Sequence, residues 1–112
     1  MKVAIPLENG VLSQHFGRCQ QFSIVEINSD TKEITGSKML TPPQHEPGVL
    51  PAWLSQMGCN LIITGGIGVK AVDLFRQNGI EVISGVSVQN PDEIINAYFE
   101  GQLQVGDNTC DH

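Results

Sequence analysis

The sequence predicts an α/β domain with a mixed sheet, because its two halves carry different patterns of apolar residues. In the first half, apolar and polar residues alternate with a period of two, as in half-buried strands. In the second half, short apolar runs alternate with segments whose apolar residues recur at helical spacing, which favours parallel crossovers. The 112 residues suffice for one domain and leave no room for a separate cofactor domain.

The first half predicts a strand followed by a β-hairpin. Residues 2–6 form an apolar run, and we expect the strand to end at Pro6 because proline lacks the amide donor of a ladder. Residues 21–28 alternate apolar and polar side chains, and residues 31–40 return as a more polar strand, expected at an exposed edge. Three prolines between positions 42 and 47 then predict a stiff, extended loop.

The second half predicts three helices separated by two buried strands. Gly58 and Gly79 are expected to end the first two helices in the left-handed conformation, and Asn90 to cap the third at Pro91. The predicted helices cover residues 48–57, 69–78 and 91–100, and the predicted strands cover residues 59–64 and 80–83.

This order of elements predicts a mixed five-stranded sheet flanked by three helices. The antiparallel hairpin lies on one side and the parallel strands on the other, which matches a ribonuclease-H-like arrangement better than a purely doubly wound fold. Residues 1–112 are interpreted as a single domain. The polar residues 102–112 are expected to form a mobile tail.

Composition narrows the classes of partner. A net charge of -6 and a pI near 4.8 oppose the phosphate neutralisation that nucleic-acid binding requires. We find no apolar run of about 20 residues and no signal-peptide pattern, so we expect a cytoplasmic protein without membrane contact. Three cysteines cannot all pair within one chain and are expected to be reduced. The chain is expected to be a monomer or a small homo-oligomer.

Histidine and cysteine residues are the strongest chemical signal. His15, Cys19, His45, Cys110 and His112 all fall in predicted loops or the tail, and their imidazole and thiolate groups suit iron, copper or zinc. The absence of a C-x-x-C pair disfavours a closed zinc or four-cysteine cluster site and favours an open one. The alternative is that these histidines are structural or solvent-exposed and that the tail is unstructured. A further cysteine at position 59 starts a buried strand and is expected in the core.

Two further features suggest an anionic ligand. Arg18 places a positive charge beside the loop donors, although an ion pair with a surface carboxylate is an equal alternative. The glycine loop that begins with Gly65 and Gly66 contains a G-x-G-x-x-A match between a strand and a helix, where main-chain amides favour anions. A simple tight turn is the favoured interpretation, because the next strand lacks the acidic residue that a dinucleotide site needs.

Catalytic patterns are sparse. The sequence has no serine elbow motif and no paired inward carboxylates, so we expect a binding protein rather than an enzyme. A Cys19 nucleophile with a histidine base stays open from the residue inventory alone and ranks below ligand binding.

Four motifs together resemble the nitrogenase iron-molybdenum cofactor biosynthesis family, which comprises NifX-like proteins and NifB-like C-terminal domains. The motifs are Ser13-x-His15-Phe16-Gly17-Arg18, Pro42-Pro43-x-His45-x-x-Gly48-x-Leu50-Pro51, Ile63-Thr64-Gly65-Gly66-Ile67-Gly68 and Gly106-x-Asn108-x-Cys110-x-His112. The resemblance implies a ribonuclease-H-like domain that binds or carries an iron-sulfur or iron-molybdenum cluster precursor. The resemblance implies that His15 and His45 correspond to the family's histidine motifs. It likewise implies that Cys110 and His112 correspond to the cysteine-histidine motif of the family's tail.

The resulting hypothesis is a carrier that acts in metal-cluster assembly or trafficking, with a cluster donor or acceptor protein as its partner. The expected metal ligands are His15, His45, Cys110 and His112, and the expected cofactor-binding residues are His15, Arg18, Cys19, His45, Gly65 and Gly66. Two alternatives stay open at this stage: a protein-interaction or regulatory module without metal, and a small-anion or nucleotide-binding protein.

Overall fold

The computed structural model describes residues 1–14, 16, 19–43, 48–86 and 90–99. Within these residues the chain forms three helices and one sheet of six strands. The strands are β1 (Lys2–Glu8), β2 (Val11–Leu12), β3 (Gln21–Asn28), β4 (Glu33–Leu40), β5 (Leu61–Ile63) and β6 (Glu81–Ile83). The helices are α1 (Val49–Gln56), α2 (Val69–Gln77) and α3 (Pro91–Phe99).

The sheet is mixed, as predicted, and changes character at its central strand β1. The strand order is β4-β3-β1-β5-β6, and the two-residue strand β2 pairs with β1. The contacts of β3 with β1 and β4 are antiparallel, whereas those of β5 with β1 and β6 are parallel. The five predicted strands and three predicted helices are therefore confirmed, and β2 is an addition. The ribonuclease-H-like label stays a prediction.

The prediction that β1 ends at Pro6 is wrong, because the strand continues to Glu8. The Pro6 carbonyl accepts a 2.9 Å hydrogen bond from the Ser13 amide, so its ring nitrogen also faces away from β3. On that side, the parallel pairing of β1 with β5 has already ended at Ala4. There Pro6 faces Ser13, whose carbonyl accepts the Gly65 amide, so the missing proline donor leaves this carbonyl paired.

Helices cover both faces of the sheet and create two separate cores. Helix α3 covers one face, where Ile94 and Ile95 pack against alternate residues of β1, β3 and β5. Helices α1 and α2 cover the other face, with Leu54 and Phe75 fully buried. All three residues of β5 are buried, as expected for a parallel strand with helices on both sides.

The predicted helix ends are confirmed at two glycines. Gly58 and Gly79 follow α1 and α2 with φ angles of 83° and 77°, which glycine adopts without the cost of a side chain. At the start of α3, the Asn90 carbonyl accepts the first helical hydrogen bond, 3.1 Å from the Ile94 amide. None of the helices in the described residues is long and apolar enough to cross a membrane.

Candidate functional site

The candidate site lies where the carboxyl ends of β1, β5 and β6 meet at one edge of the sheet. From β1 the chain leads through β2 to β3 on one side, whereas from β5 it leads through α2 to β6 on the other. Ligands of open α/β sheets bind in the crevice that such a reversal creates at the carboxyl ends of strands. The segment that follows β2 begins at Ser13, which lies beside Pro6 near the end of β1, and the glycine-rich turn after β5 begins at Thr64.

Main-chain hydrogen bonds join these two segments. The Gly65 amide donates to the Ser13 carbonyl at 3.2 Å, and the Gly66 amide donates to the Gln14 carbonyl at 2.7 Å. In return, the Phe16 amide donates to the Gly66 carbonyl at 2.8 Å. We call this set of three hydrogen bonds the loop junction. It brings together two motifs that the sequence offered separately.

Gly65 is required for the close approach of the two chains. A Cβ atom built on Gly65 would lie 2.7 Å from the Ser13 carbonyl oxygen and 2.8 Å from the Gln14 Cα atom, both main-chain atoms. Contacts of that length force the structure to shift. The turn therefore needs glycine here to admit the neighbouring loop, a role that the strand-turn-helix pattern alone does not reveal.

The amides of Gly65 and Gly66 are occupied by protein carbonyls. These were the donors that the glycine-rich motif offered to an anion, and in this structure they bind Ser13 and Gln14 instead. Direct contact of Gly65 and Gly66 with a cofactor stays a prediction. Such contact would have to use atoms of these residues other than their amide groups. The small-anion or nucleotide alternative stays a prediction that would depend on amides further along the turn.

The turn after β5 is also tied to the segment after β6. The Gly85 amide donates to the Gly65 carbonyl at 2.7 Å, and the Val86 amide donates to the Thr64 carbonyl at 3.2 Å. The same segment of β5 and its turn thus contacts the chain that follows β1 and the chain that follows β6. The three carboxyl-terminal segments form one hydrogen-bonded unit.

Thr64 contributes a buried hydroxyl group that sequence reasoning did not single out. Its side chain is fully buried, and Oγ1 has no hydrogen-bond partner among the described residues. An unsatisfied buried hydroxyl is costly and uncommon in native proteins. The sequence feature that could have indicated this buried hydroxyl is the position of Thr64, a polar residue directly after the apolar run Leu61–Ile63.

Phe16 anchors the loop to the helical layer. Its ring lies edge-on to the Phe75 ring of α2 at a centroid distance of 5.4 Å and is tilted against the Phe22 ring of β3 at 6.2 Å. Phe75 and Phe22 are themselves fully buried. Such aromatic pairs hold the loop in place beyond the main-chain hydrogen bonds.

Comparison with known proteins identifies the family. The sequence model of the dinitrogenase iron-molybdenum cofactor family matches residues 1–101. The chain belongs to the dinitrogenase iron-molybdenum cofactor family. The match includes the positions of His15, Arg18 and His45 and ends before Cys110 and His112.

The chain is also similar to a curated protein and to solved structures over nearly its whole length. An uncharacterized protein of Methanocaldococcus jannaschii, MJ0580, is 41% identical over 108 residues, which cover 93% of this chain and 90% of the relative. The crystal structure of PH0822 has a TM-score of 0.83 and 31% identity, covering 95% of this chain and 96% of that one. A second Methanocaldococcus jannaschii protein, provisionally described as a dinitrogenase, has a TM-score of 0.74 and 25% identity, with 96% of each chain covered.

Cys19 is buried beside the candidate site, and its environment favours the neutral thiol. Burial raises the pKa of Cys19 to about 11, a backbone hydrogen bond opposes this rise, and the Glu8 carboxylate adds to it. Burial also raises the pKa of Cys59, against the attraction of Lys2 and Lys38. Because thiolates rather than thiols bind metals and act as nucleophiles, neither cysteine is prepared for either role at neutral pH. Cys19 as a cofactor-binding residue stays a prediction.

The remaining predicted site residues of this family member lie outside the described residues: His15, Arg18, His45, Cys110 and His112. Gln14 and Phe16, the neighbours of His15 in the chain, both bond to Gly66 at the loop junction. The described part of the chain contains no group of three or more His, Cys, Asp or Glu residues able to hold a metal ion. A metal site would therefore need at least one ligand from outside the described residues, where the predicted ligands His15, His45, Cys110 and His112 lie.

Proposed function

We propose that the chain binds and carries an iron-sulfur or molybdenum-iron cluster precursor between a donor and an acceptor protein, without converting it chemically. The observation that supports the proposal is the loop junction, which bonds Gln14 and Phe16, the chain neighbours of His15, to the glycine turn at the carboxyl end of β5. Membership of a family named for the dinitrogenase iron-molybdenum cofactor supports this cargo.

The loop junction suits a site that must take up and release its cargo. Ser13 and Gln14 on one side of His15 and Phe16 on the other are held by main-chain bonds to the glycine turn. In the proposed site His15 provides an imidazole from a loop anchored on both sides, and His45, Cys110 and His112 provide the remaining ligands. A fixed loop reduces the entropy lost on binding.

An anionic cluster also needs positive charge near its binding site. The chain has a net charge of -6, which repels an anionic cluster. Arg18, three positions after His15, is proposed to offset this repulsion locally. The buried Cys19 thiol, with a pKa of about 11, is not needed as a ligand in this arrangement.

Anaerobic reconstitution with ferrous iron and sulfide, with and without molybdate, tests the proposal. We expect sulfide-to-iron charge-transfer absorption and a cluster Mössbauer signal that co-elute with the protein, both lost in His15→Ala and Cys110→Ala. Cys59→Ala is the matched control, because this buried thiol lies in the α1/α2 core, and it should retain the cluster. Absence of cluster from folded wild-type protein, or retention of cluster in both ligand variants, would refute the carrier function.

A protein-interaction module is the second candidate function, favoured by the exposed strand β4 at the edge of the sheet. The two candidate functions predict different binding results for the same variants. An interaction module keeps its partner in His15→Ala and Cys110→Ala, whereas the proposed carrier loses its cargo. Circular dichroism of each variant verifies that it has folded.

A further inference from the structure

Strand β4 presents a long exposed edge. It is the outermost strand of the sheet, and in the described part of the chain it pairs only with β3. Seven of its eight residues are exposed. A register shift interrupts its pairing with β3 between Glu26 and Ile27, so the regular part of the edge is residues 36–40. An unpaired edge of this kind can accept an additional strand.

The register shows which main-chain groups of this edge are free for pairing. Met1 and Ile27 exchange hydrogen bonds in both directions, so the odd-numbered residues of β3 direct their main-chain groups towards β1. The even-numbered residues of β3 therefore bond to β4, and Ile24 lies opposite Lys38. It follows that Lys38 bonds to β3, whereas Ser37 and Met39 direct their N–H and C=O groups outward.

A cavity of about 230 Å³ lies beside the same residues. We call it the edge groove, and it is lined by Lys2, Ile24, Glu26, Gly36, Ser37 and Lys38. The two lysines lie on the same face of the sheet, because Lys2 lies opposite Glu26 and Lys38 lies opposite Ile24, two residues apart on β3. With two cations and one carboxylate, the edge groove is a cationic site in an acidic protein.

The opposite face of this edge carries Ser37 and two exposed apolar side chains. Met39 is 56% exposed and lies opposite Ser23, and Ile34 is 47% exposed and lies opposite Ile27, which belongs to the α3-side core. Lys38 lies opposite Ile24, which belongs to the α1/α2-side core. A strand added to the edge would therefore meet positive charge on one face and exposed apolar side chains on the other.

We propose that residues 36–40 bind an extended acidic segment of a partner protein as an additional β-strand. The main-chain groups of Ser37 and Met39 pair with the segment, its carboxylates enter the edge groove beside Lys2 and Lys38, and its alternate apolar residues cover Met39. A second copy of this chain fits less well. Its own edge carries Lys38 in the regular part, and its carboxylate Glu33 lies on the far side of the register shift.

Fluorescence anisotropy at about 0.15 M salt, which screens the net charge of -6 beyond about 8 Å, tests this with two labelled octapeptides, one alternating Glu and Val and the other alternating Lys and Val. We expect the acidic peptide to bind the full chain at least about tenfold more tightly than the basic one. NMR-detected exchange of the Ser37 and Met39 amide protons should slow when the acidic peptide is added. Equal affinity of both peptides, no binding of either, or unchanged exchange at these amides overturns the proposal.

Variants separate main-chain pairing from charge. Met39→Pro removes an outward N–H and should abolish binding, while Met39→Ala keeps this donor and should bind within about threefold of wild type. Lys38→Glu should weaken binding of the acidic peptide at least about tenfold, whereas the exposed Lys70→Glu on α2 carries the same charge change away from the edge and should not. If light scattering finds a dimer that Met39→Pro converts to monomer, the occupant is a second copy and the acidic-segment proposal fails.

Discussion

The Gly65 amide donates a hydrogen bond to the Ser13 carbonyl, and the same oxygen lies 2.7 Å from the position that a Cβ atom on Gly65 would take. The contact that joins the two loops thus also excludes every residue except glycine from this position. Because the atoms in contact belong to the main chain of Ser13 and Gln14, no change of rotamer can relieve the clash. The loop junction should therefore respond sharply to the smallest possible substitution.

Gly65→Ala should destabilise the protein by roughly 1–3 kcal/mol, because the added methyl group forces the segment after β1 away from the turn. Urea unfolding followed by Trp53 fluorescence measures this change. Gly36→Ala is the matched control, since a Cβ atom there meets no heavy atom within 4 Å, and its effect should stay within about 0.5 kcal/mol. Equal effects of the two substitutions would show that the Gly65 contact is relaxed in solution.

Thr64 offers a test of the buried hydroxyl beside the loop junction. Thr64→Val removes an oxygen atom without a described partner and keeps the shape, so stability should be unchanged or rise by about 1 kcal/mol. Thr64→Ser keeps the hydroxyl and deletes a fully buried methyl group, and it should destabilise the protein by about 1 kcal/mol. Thermal unfolding of the two variants provides the comparison. A loss of more than about 1 kcal/mol in Thr64→Val would mean that the hydroxyl is satisfied.

The parts of the fold that depend on local sequence were predictable. Gly58 and Gly79 were expected as left-handed helix stops because only glycine adopts positive φ without strain, and both have it. The parallel, doubly covered strand at Leu61–Ile63 was predictable from its uninterrupted apolar run. These features need only a few adjacent residues to specify them.

Features that depend on distant partners were not predictable. The strand passes through Pro6 because pairing with β5 has ended there and the Ser13 carbonyl, which faces Pro6, accepts the Gly65 amide instead. The role of Gly65 likewise depends on Ser13, which lies in the other half of the chain. For the candidate site, the sequence suggested both loops but gave no means of deriving their contact. The expected metal ligands stay predictions, since they lie outside the described residues.

Cys19 should make stability depend on pH in the alkaline range. Burial raises its pKa to about 11 in the folded protein from an ordinary value of 9.0. A raised folded pKa gives stability that is fully present below the unfolded pKa and is lost as pH rises from about 9 to about 11. The loss attributable to this thiol is on the order of 2–3 kcal/mol.

Urea unfolding at neutral pH and at several alkaline values, compared between wild type and Cys19→Ala, measures this dependence. The alanine variant should be less stable at neutral pH because a buried side chain is truncated, yet it should lose less stability than wild type on alkalinisation. Cys59→Ala serves as a comparison for the second buried thiol, whose pKa is also raised. Parallel pH profiles for wild type and Cys19→Ala would contradict the assignment of the effect to Cys19.

Lys2 provides a cap for α1 from outside the helix. The last turn of α1 contains no basic residue, and the Lys2 ammonium group reaches across from β1 to donate a 3.0 Å hydrogen bond to the Met57 carbonyl. A positive charge at this end opposes the helix dipole and satisfies a carbonyl that the helix leaves free. Lys2→Met keeps most of the aliphatic stem and removes the charge. It should cost about 0.5–1.5 kcal/mol of unfolding free energy.

Lys38→Met is the matched control for this prediction, because it removes the other lysine of the edge groove from an exposed position on β4. The difference in unfolding free energy between the two variants isolates the cap from the general effect of removing one positive charge from an acidic protein. Part of that difference should persist at high salt. The hydrogen bond that the half-buried Lys2 ammonium group donates is screened less by salt than the interactions of an exposed charge. If Lys2→Met and Lys38→Met unfold at the same urea concentration, the Lys2 contact contributes nothing to the end of α1.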